Sequence, residues 1–283
     1  MVSTYEKLNI KVDINNPFRR YDAIIVFRKA KRNYYWILKI AKLFSKQVYF
    51  DTCINIFEQN SEISSEHLFY AKKIANVSDG IICASHQIAR YAQPYAKSVF
   101  VMEDPINTNH FSKIKKDINF DDPTFGWSGV GPKSGFLNKY AEVINNKIII
   151  ISDNSINNIQ LDFNYRYEKW TYEQFPSSIL KCDIALLPRD TSCSYNKSHS
   201  SFKALVFAAS GIPIIANKVP SYVDLSHFYN GIVFLEDNNN NIEACINKLR
   251  TRSFDTTRVR EHYSCEHQAK ILLKYFQSQL SKN

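Results

Sequence analysis

Along the chain, short runs of β-branched and aromatic residues alternate with longer stretches whose apolar residues recur every three or four positions. A run of four to six continuous apolar residues suits a strand buried on both faces, and the stretches between are long enough for crossover helices. In the first half this pattern predicts strands at 23–27, 48–51, 80–84 and 98–102, with helices near 31–45, 64–76 and 86–93. Residues 112–123 (SKIKKDINFDDP) are polar, charged and without period, which reads as a linker. A second set of strands is predicted at 124–128, 147–152, 165–169, 183–187, 213–216 and 232–235. Helices are expected over 136–145, over 175–180 behind a Thr171/Gln174 capping box, and once or twice over 256–280. The tract 238–241 reads as a loop. The alternation predicts an α/β fold of two parallel-sheet halves, with ligands at the carboxyl ends of the strands in a cleft between them.

Composition narrows the partners. At 283 residues, 45% hydrophobic and 22% charged, the chain has room for one large domain or two small ones. Residues 1–12 never reach an apolar run of signal length, so no secretory leader is expected. The longest apolar runs, 148–151 and 184–187, have strand rather than membrane-span length. Six cysteines (53, 83, 182, 193, 245, 265) form no CxxC pair, which reads as reduced thiols in a cytoplasmic protein. A formal charge of +9 asks for anionic partners. The basic residues are dispersed, and no helix-turn-helix, zinc-finger or RNP pattern accompanies them, which argues against nucleic acid. The densest basic stretch is 28–46 (RKAKRNYYWILKIAKLFSK). As a helix it places Lys39, Lys42 and Lys46 along one side, with Trp36, Ile40, Leu43 and Phe44 elsewhere. Two readings stand: an ordinary surface helix with a solvated lysine face, or a basic amphipathic helix resting peripherally on an anionic membrane.

Two loops carry candidate chemistry. The first, WSGVGPKSG (127–135), follows a predicted strand and precedes a predicted helix. Gly129 and Gly131 let backbone approach a ligand, the helix start offers N–H groups to a phosphate, and Lys133 adds a charge. A tight turn needing glycine for geometry alone explains it equally well. Gly129, Gly131 and Gly135 with Asp153 also imitate a dinucleotide fingerprint. That loop lies mid-chain, however, and nothing downstream resembles a hydride-transfer site, so an NAD(P)-binding oxidoreductase ranks lower. The second loop opens NKSHSSFKALVFAASGIPIIANKVPSY (196–222), where Lys197 and Lys203 flank Ser198, His199, Ser200 and Ser201 at a helix start. Hydroxyls, free N–H groups and lysine suit a diphosphate, and helix capping by Ser198 or Ser200 is the plainer alternative.

The second half as a whole resembles the nucleotide-binding domain of family 4-like (group 1) glycosyltransferases. The matching pieces run in order: WSG (127–129), Trp170 ahead of the 175–180 helix, CDIALLP (182–188), NKS–K–AASGIP (196–213), VPSY (219–222), NGIVF (230–234) and Tyr263-Ser264. In the first half, VYFDTCINIFE (48–58), DGIICAS (79–85) and DPINTNHF (104–111) look like a shortened partner domain and crossover. The resemblance implies a GT-B fold of two Rossmann-like domains: 1–115 on the acceptor side, joined by a closing helix over 262–283, and 116–261 binding a nucleotide-diphosphate sugar. It implies transfer of that sugar to a glycan or lipid-linked hydroxyl, in surface polysaccharide or glycan assembly. It places Lys203 against the donor diphosphate with Lys197 beside it, Ser198, His199, Ser200 and Ser201 in the same loop, Gly129, Gly131 and Lys133 opposite, and Tyr222 within the VPSY piece.

One departure matters. The family commonly has two glutamates eight positions apart, the second three residues after the lysine and binding the nucleotide ribose. Here those positions are Ser198 and Val206. Valine accepts no hydrogen bond, which leaves a catalytically degenerate scaffold or partner subunit as the alternative function. No Asp or Glu is followed two positions later by another, so the carboxylate pair of a metal-dependent GT-A enzyme is missing. Metal-independent chemistry without a cofactor is therefore expected, with lysine, hydroxyl and backbone donors on the leaving group. On the acceptor side Asp51, at a strand end, is the candidate general base, with a capped turn as the plain alternative. His86, Glu103 and Asp104 end neighbouring strands and have capping or hinge roles as alternatives.

Overall fold

The structure, a computed structural model, describes residues 11–13, 19–27, 30–60, 62–235 and 241–281. Arg28 and Lys29 of the basic stretch, most of the 1–12 segment and residues 238–240 of the loop tract lie outside them. In chain order the elements are β1 (Tyr21–Phe27), α1 (Arg32–Phe44), β2 (Ser45–Thr52), α2 (Ser65–Val77), β3 (Gly80–Cys83), α3 (His86–Ala92) and β4 (Val99–Val101). Next come β5 (Phe125–Gly129), a 3-10 helix (Gly131–Tyr140), α4 (Ala141–Ile144), β6 (Ile148–Ser152), a 3-10 turn (Asn154–Asn158), β7 (Arg166–Lys169), α5 (Phe175–Ile179) and β8 (Ile184–Leu187). The chain closes with α6 (Ser194–Lys197), α7 (Phe202–Ala209), β9 (Ile214–Ala216), α8 (Pro220–Ser226), β10 (Ile232–Phe234), α9 (Ile242–Arg250), α10 (Thr257–His262) and α11 (Cys265–Leu280). Each predicted strand is present within a few residues of its expected ends. The helix expected over 136–145 is instead mostly 3-10, with only Ala141–Ile144 α-helical. Pro132, Ser134 and Gly135 in its first turns make poor α-helix interior.

The chain forms two compact units. Unit 1 comprises Met1–Pro105, Ser192–Ser200 and Tyr263–Asn283; unit 2 comprises Ile106–Thr191 and Ser201–His262. Unit 1 is built on a parallel sheet in the order β1-β2-β3-β4, and unit 2 on a parallel sheet in the order β10-β9-β8-β5-β6-β7. Isoleucines 148 to 151 of β6 and all four residues of β8 are buried, as continuous apolar strands covered on both faces must be.

The unit boundaries differ from a simple division at 115/116, for identifiable reasons. Residues 106–115 belong to unit 2 because Arg260 donates to the carbonyls of Phe111 (2.7 Å), Ala209 (2.8 Å) and Thr108 (3.1 Å). The expected linker has no regular element but is pinned to the same unit. Lys115 pairs with the nearly buried Asp183 at 3.0 Å, and Asp183 also accepts from the amides of Thr124 (2.9 Å) and Asn119 (3.3 Å). Residues 192–200 belong to unit 1: Ser85 Oγ donates to the Ser198 carbonyl at 2.7 Å, and Tyr195 packs on the unit 1 core. The final helix belongs there too. Ser264 caps α11 by accepting from His267 N, and α11 stacks Tyr275 on Phe100 (4.4 Å between centroids) and Phe276 on Tyr49 (4.6 Å).

Candidate functional site

In unit 2 the carboxyl ends of β5 and β8 gather cations. Trp127 in β5 is buried, and the ammonium of Lys203, from the first turn of α7, lies 4.4 Å from the centre of its ring. The strand ends at Gly129, where a Cβ would stand 2.8 Å from Lys203 Nζ and 2.9 Å from the Trp127 ring. Only glycine leaves the lysine this seat. Burial pulls Lys203 down to about pKa 7, and the charges of Arg189 and Lys133 push in the same direction. Lys133 comes from the 3-10 helix after β5. Arg189 lies two residues beyond β8, where its backbone N–H donates to Asn217 Oδ1 (2.8 Å) and its guanidinium lies 5.7 Å from the centre of the buried Tyr222 ring. Burial is the main cost of keeping Lys203 charged here, and the two neighbouring cations add to it, which makes the spot suited to an anion.

The rest of the glycine loop is structural. The Gly131 N–H is already donated to Asp153 Oδ1 (3.2 Å) and Ser155 Oγ (3.1 Å). A Cβ there would stand 2.2 Å from the backbone nitrogen of Ile156, so Gly131 is required by packing. Asp153 accepts from the Ser155 hydroxyl and the Gly131 amide, which hold its carboxyl below the usual range. It therefore caps the following turn. Gly135 has open space around it.

In unit 1 the carboxyl ends of β2, β3 and β4 gather acids. Asp51, next to last in β2, sits between Phe27 of β1 and Ile82 of β3 in the sheet register. Burial and the nearby charge of Asp104 raise it to about pKa 7. Asp104, three residues past β4, is itself raised by burial, against a hydrogen bond from Ser200 that lowers it. The Cys83 thiol at the end of β3 is pushed up by burial and by Asp51. Glu103 accepts from the Tyr263 hydroxyl at 3.1 Å, a contact that ties α11's approach to the same strand end.

The predicted residues thus divide. Gly129, Lys133, Lys203 and Tyr222 meet in unit 2, with Ser201 buried at the start of α7. Asp51, Asp104 and Ser200 meet in unit 1. Ser198 is fully buried and donates its hydroxyl to the Ser194 carbonyl (2.6 Å), so it serves α6 as a structural cap. His199 packs edge-on against Tyr195 with 4.9 Å between centroids, and Lys197 is exposed at the end of α6. His86 is exposed at the start of α3, behind the Ser85 cap. Val206 is fully buried within α7. Arg189 has no signal in the sequence beyond its position just after the apolar run 184–187. A separate groove of about 370 Å³ is lined by Glu168, Lys169, Gln174, Ser177, Ser178 and Lys181 and contains none of these groups.

No protein-family model matches the chain, and no curated protein matches it in sequence. Solved structures do match in fold. Sucrose-phosphate synthase from Thermosynechococcus elongatus superposes with a TM-score of 0.65 at 12% identity, covering 93% of this chain and 75% of that one. HepE of Anabaena, solved with UDP and glucose, gives 0.64 at 13% identity over 91% and 78%. A glycosyltransferase of avilamycin A biosynthesis gives 0.54 at 8% identity over 93% and 99%. With its two parallel sheets, one per unit, the chain has the GT-B fold of these glycosyltransferases.

Proposed function

We propose that the chain is a glycosyltransferase that binds a nucleoside-diphosphate sugar on unit 2 and passes the sugar to an acceptor hydroxyl. The observation that carries this reading is the seat of Lys203 over Trp127 and against Gly129, in a cluster with Arg189 and Lys133. In the reaction the bond between the anomeric carbon and the diphosphate oxygen breaks, and the diphosphate leaves with the electron pair. A bond from the anomeric carbon to the acceptor oxygen forms, and the acceptor's proton goes to a general base, the role for which Asp51 is the candidate. Lys203, Arg189 and Lys133 offset the charge growing on the diphosphate, the place where fixed cations lower a barrier most. Metal-independent transfer to a glycan or lipid-linked acceptor is part of this proposal. HepE, solved with UDP, makes UDP the first nucleotide to try.

The test is calorimetric titration with UDP, GDP, ADP and NAD. One nucleoside diphosphate is expected to bind at micromolar strength, and Lys203→Ala to weaken it by about 1–3 kcal/mol, the range of a charge-assisted hydrogen bond. Failure of all three diphosphates to bind, or unchanged binding by Lys203→Ala, sinks the reading; binding of NAD alone moves it to the oxidoreductases. A second reading, a non-catalytic scaffold on the same fold, is favoured by Val206 and Ser198, which are buried and carry no carboxylate where the resemblance places two. Release of the diphosphate from the matching nucleotide sugar in the presence of a hydroxyl acceptor separates the two.

A further inference from the structure

α1 has two apolar faces, and only one of them is in the core. Leu38 and Ala41 are buried and Tyr34 packs beside them, while Trp36, Ile37, Ile40 and Leu43 are 52%, 46%, 50% and 77% exposed. Trp36, Ile40 and Leu43 fall at i, i+4 and i+7, so they form one continuous stripe along the solvent side. The stripe extends onto α2, where Phe69 is 51% exposed. Lysines bind it together: Lys73 Nζ lies 4.3 Å from the Phe69 ring centre and 5.8 Å from that of Tyr35, and Lys39 Nζ lies 5.2 and 5.3 Å from those of Tyr35 and Trp36. Within α1 and α2 there are five bases, Arg32, Lys39, Lys42, Lys72 and Lys73, against one acid, Glu66. Lys42 pairs with Asp79 at 3.0 Å and Lys72 Nζ lies 4.7 Å from the Tyr95 ring centre, which leaves Arg32, Lys39 and Lys73 for the surface.

We propose that this face of α1 and α2 docks unit 1 onto an anionic lipid bilayer. A large apolar stripe flanked by lysines, with Trp and Tyr at its border, is the composition of a helix lying in the headgroup region. The lysine stems run along the aromatic rings and their ammonium groups reach outward to lipid phosphate, as snorkelling side chains do. A protein partner fits less well, because lysine is depleted at the centres of protein–protein interfaces while Trp is enriched there. The surrounding positive charge complements anionic headgroups and makes the attachment sensitive to salt. This inference stands on unit 1 alone and is independent of the glycosyl-transfer reading.

The test is flotation of the full chain with phosphatidylcholine vesicles and with vesicles containing one-quarter phosphatidylglycerol, at low and high salt. The wild type is expected to float with the anionic vesicles, several-fold less with neutral ones, and less again at high salt. The paired exposed substitutions Ile40→Glu and Leu43→Glu are expected to cut the floated fraction at least tenfold, with circular dichroism unchanged. Lys39→Glu with Lys73→Glu should do the same. Trp36 emission should shift to the blue on binding, a shift missing in Trp36→Phe. Failure to float with anionic vesicles at low salt, or flotation indifferent to both pairs, overturns the proposal. So does a dimer, seen by sedimentation without vesicles, that Ile40→Glu with Leu43→Glu dissociates, because the face is then occupied by a second copy.

Discussion

The two strand-end clusters are mirror images in charge. Unit 2 buries Lys203 over Trp127, near Arg189 and Lys133, so that it falls to about 7, and unit 1 buries two carboxyls so that Asp51 rises to about 7. Burial is the larger cause in both, and like charges add to it in both. Groups moved this far from their ordinary values are candidates for chemistry near neutral pH, and the proposed function gives one an anion to receive and the other a proton. The comparison also shows what the sheets share. Each cluster sits where parallel strands end, the position that the topology leaves open for ligands.

The sharpest way to break the comparison is to separate proton transfer from binding. Asp51→Asn keeps the shape and removes the base, so turnover should fall by about 10²-fold or more while UDP affinity stays put. Lys203→Ala should do the reverse, with most of its loss in affinity. If Asp51→Asn turns over at the wild-type rate, Asp51 is a structural carboxyl and the symmetry between the units is accidental.

Stability against pH tests the same pair with opposite signs. Lys203 is lowered in the folded chain, so its burial cost is present in full below pH 7 and is relieved as pH rises from about 7 towards the unfolded value near 10.4. Lys203→Met should therefore stabilise the protein at pH 6 by about 1–2 kcal/mol, allowing for partial exposure, and the gain should shrink by pH 10. Asp51 is raised, so its folded form is undisturbed below about pH 4 and its cost grows to full size above 7. Asp51→Asn should be neutral near pH 4 and stabilising by about 1–2 kcal/mol at pH 8. Denaturant midpoints for both variants at three pH values give the answer; parallel rather than opposed trends would show that the two shifts have another origin.

Much of this was legible in the sequence, and the limits have physical causes. The central strands could be read because parallel strands covered on both faces are unbroken apolar runs, as in IIII at 148–151 and IALL at 184–187, while the edge strand β7 (RYEK) is partly exposed and has no such run. Lys203, Gly129 and Lys133 are singled out by the resemblance rather than by local chemistry, which allows a plain turn and a plain helix cap equally well, and the structure brings the three together. Three things were not legible. Arg189 has no motif of its own and becomes visible only when β8 and β9 are laid side by side. The assignment of 192–200 to unit 1 depends on contacts distant in sequence, the Ser85 hydroxyl on the Ser198 carbonyl 113 residues away and Tyr195 on the unit 1 core. The helix wheel of α1 shows two apolar faces but not which one meets the core, because Leu38 with Ala41 and Ile40 with Leu43 are equally apolar. β2 and Asp79 decide it, through the Asp79 contacts to Lys42 and to the Val48 N–H.

A smaller effect sharpens the comparison at the level of single protons. At pH 8 most Lys203 in the free protein lacks its proton, yet a diphosphate beside it favours the charged form and lifts it back above neutrality. UDP binding at pH 8 should therefore take up a fraction of a proton from buffer, and uptake should vanish below about pH 6, where the lysine is already charged. The measurement is the binding enthalpy in two buffers of different ionisation enthalpy, with the difference giving the protons exchanged. Lys203→Met should remove the uptake whatever affinity remains. Gly129→Ala should weaken it less: the added methyl would meet the flexible end of Lys203 and the edge of the buried Trp127 ring, so the ammonium shifts off the ring, and the denaturant midpoint of the variant checks that the chain still folds. A few-fold loss of UDP affinity with partial loss of uptake is expected for Gly129→Ala. Full uptake in that variant would mean that the diphosphate meets Lys203 somewhere other than its seat over Trp127.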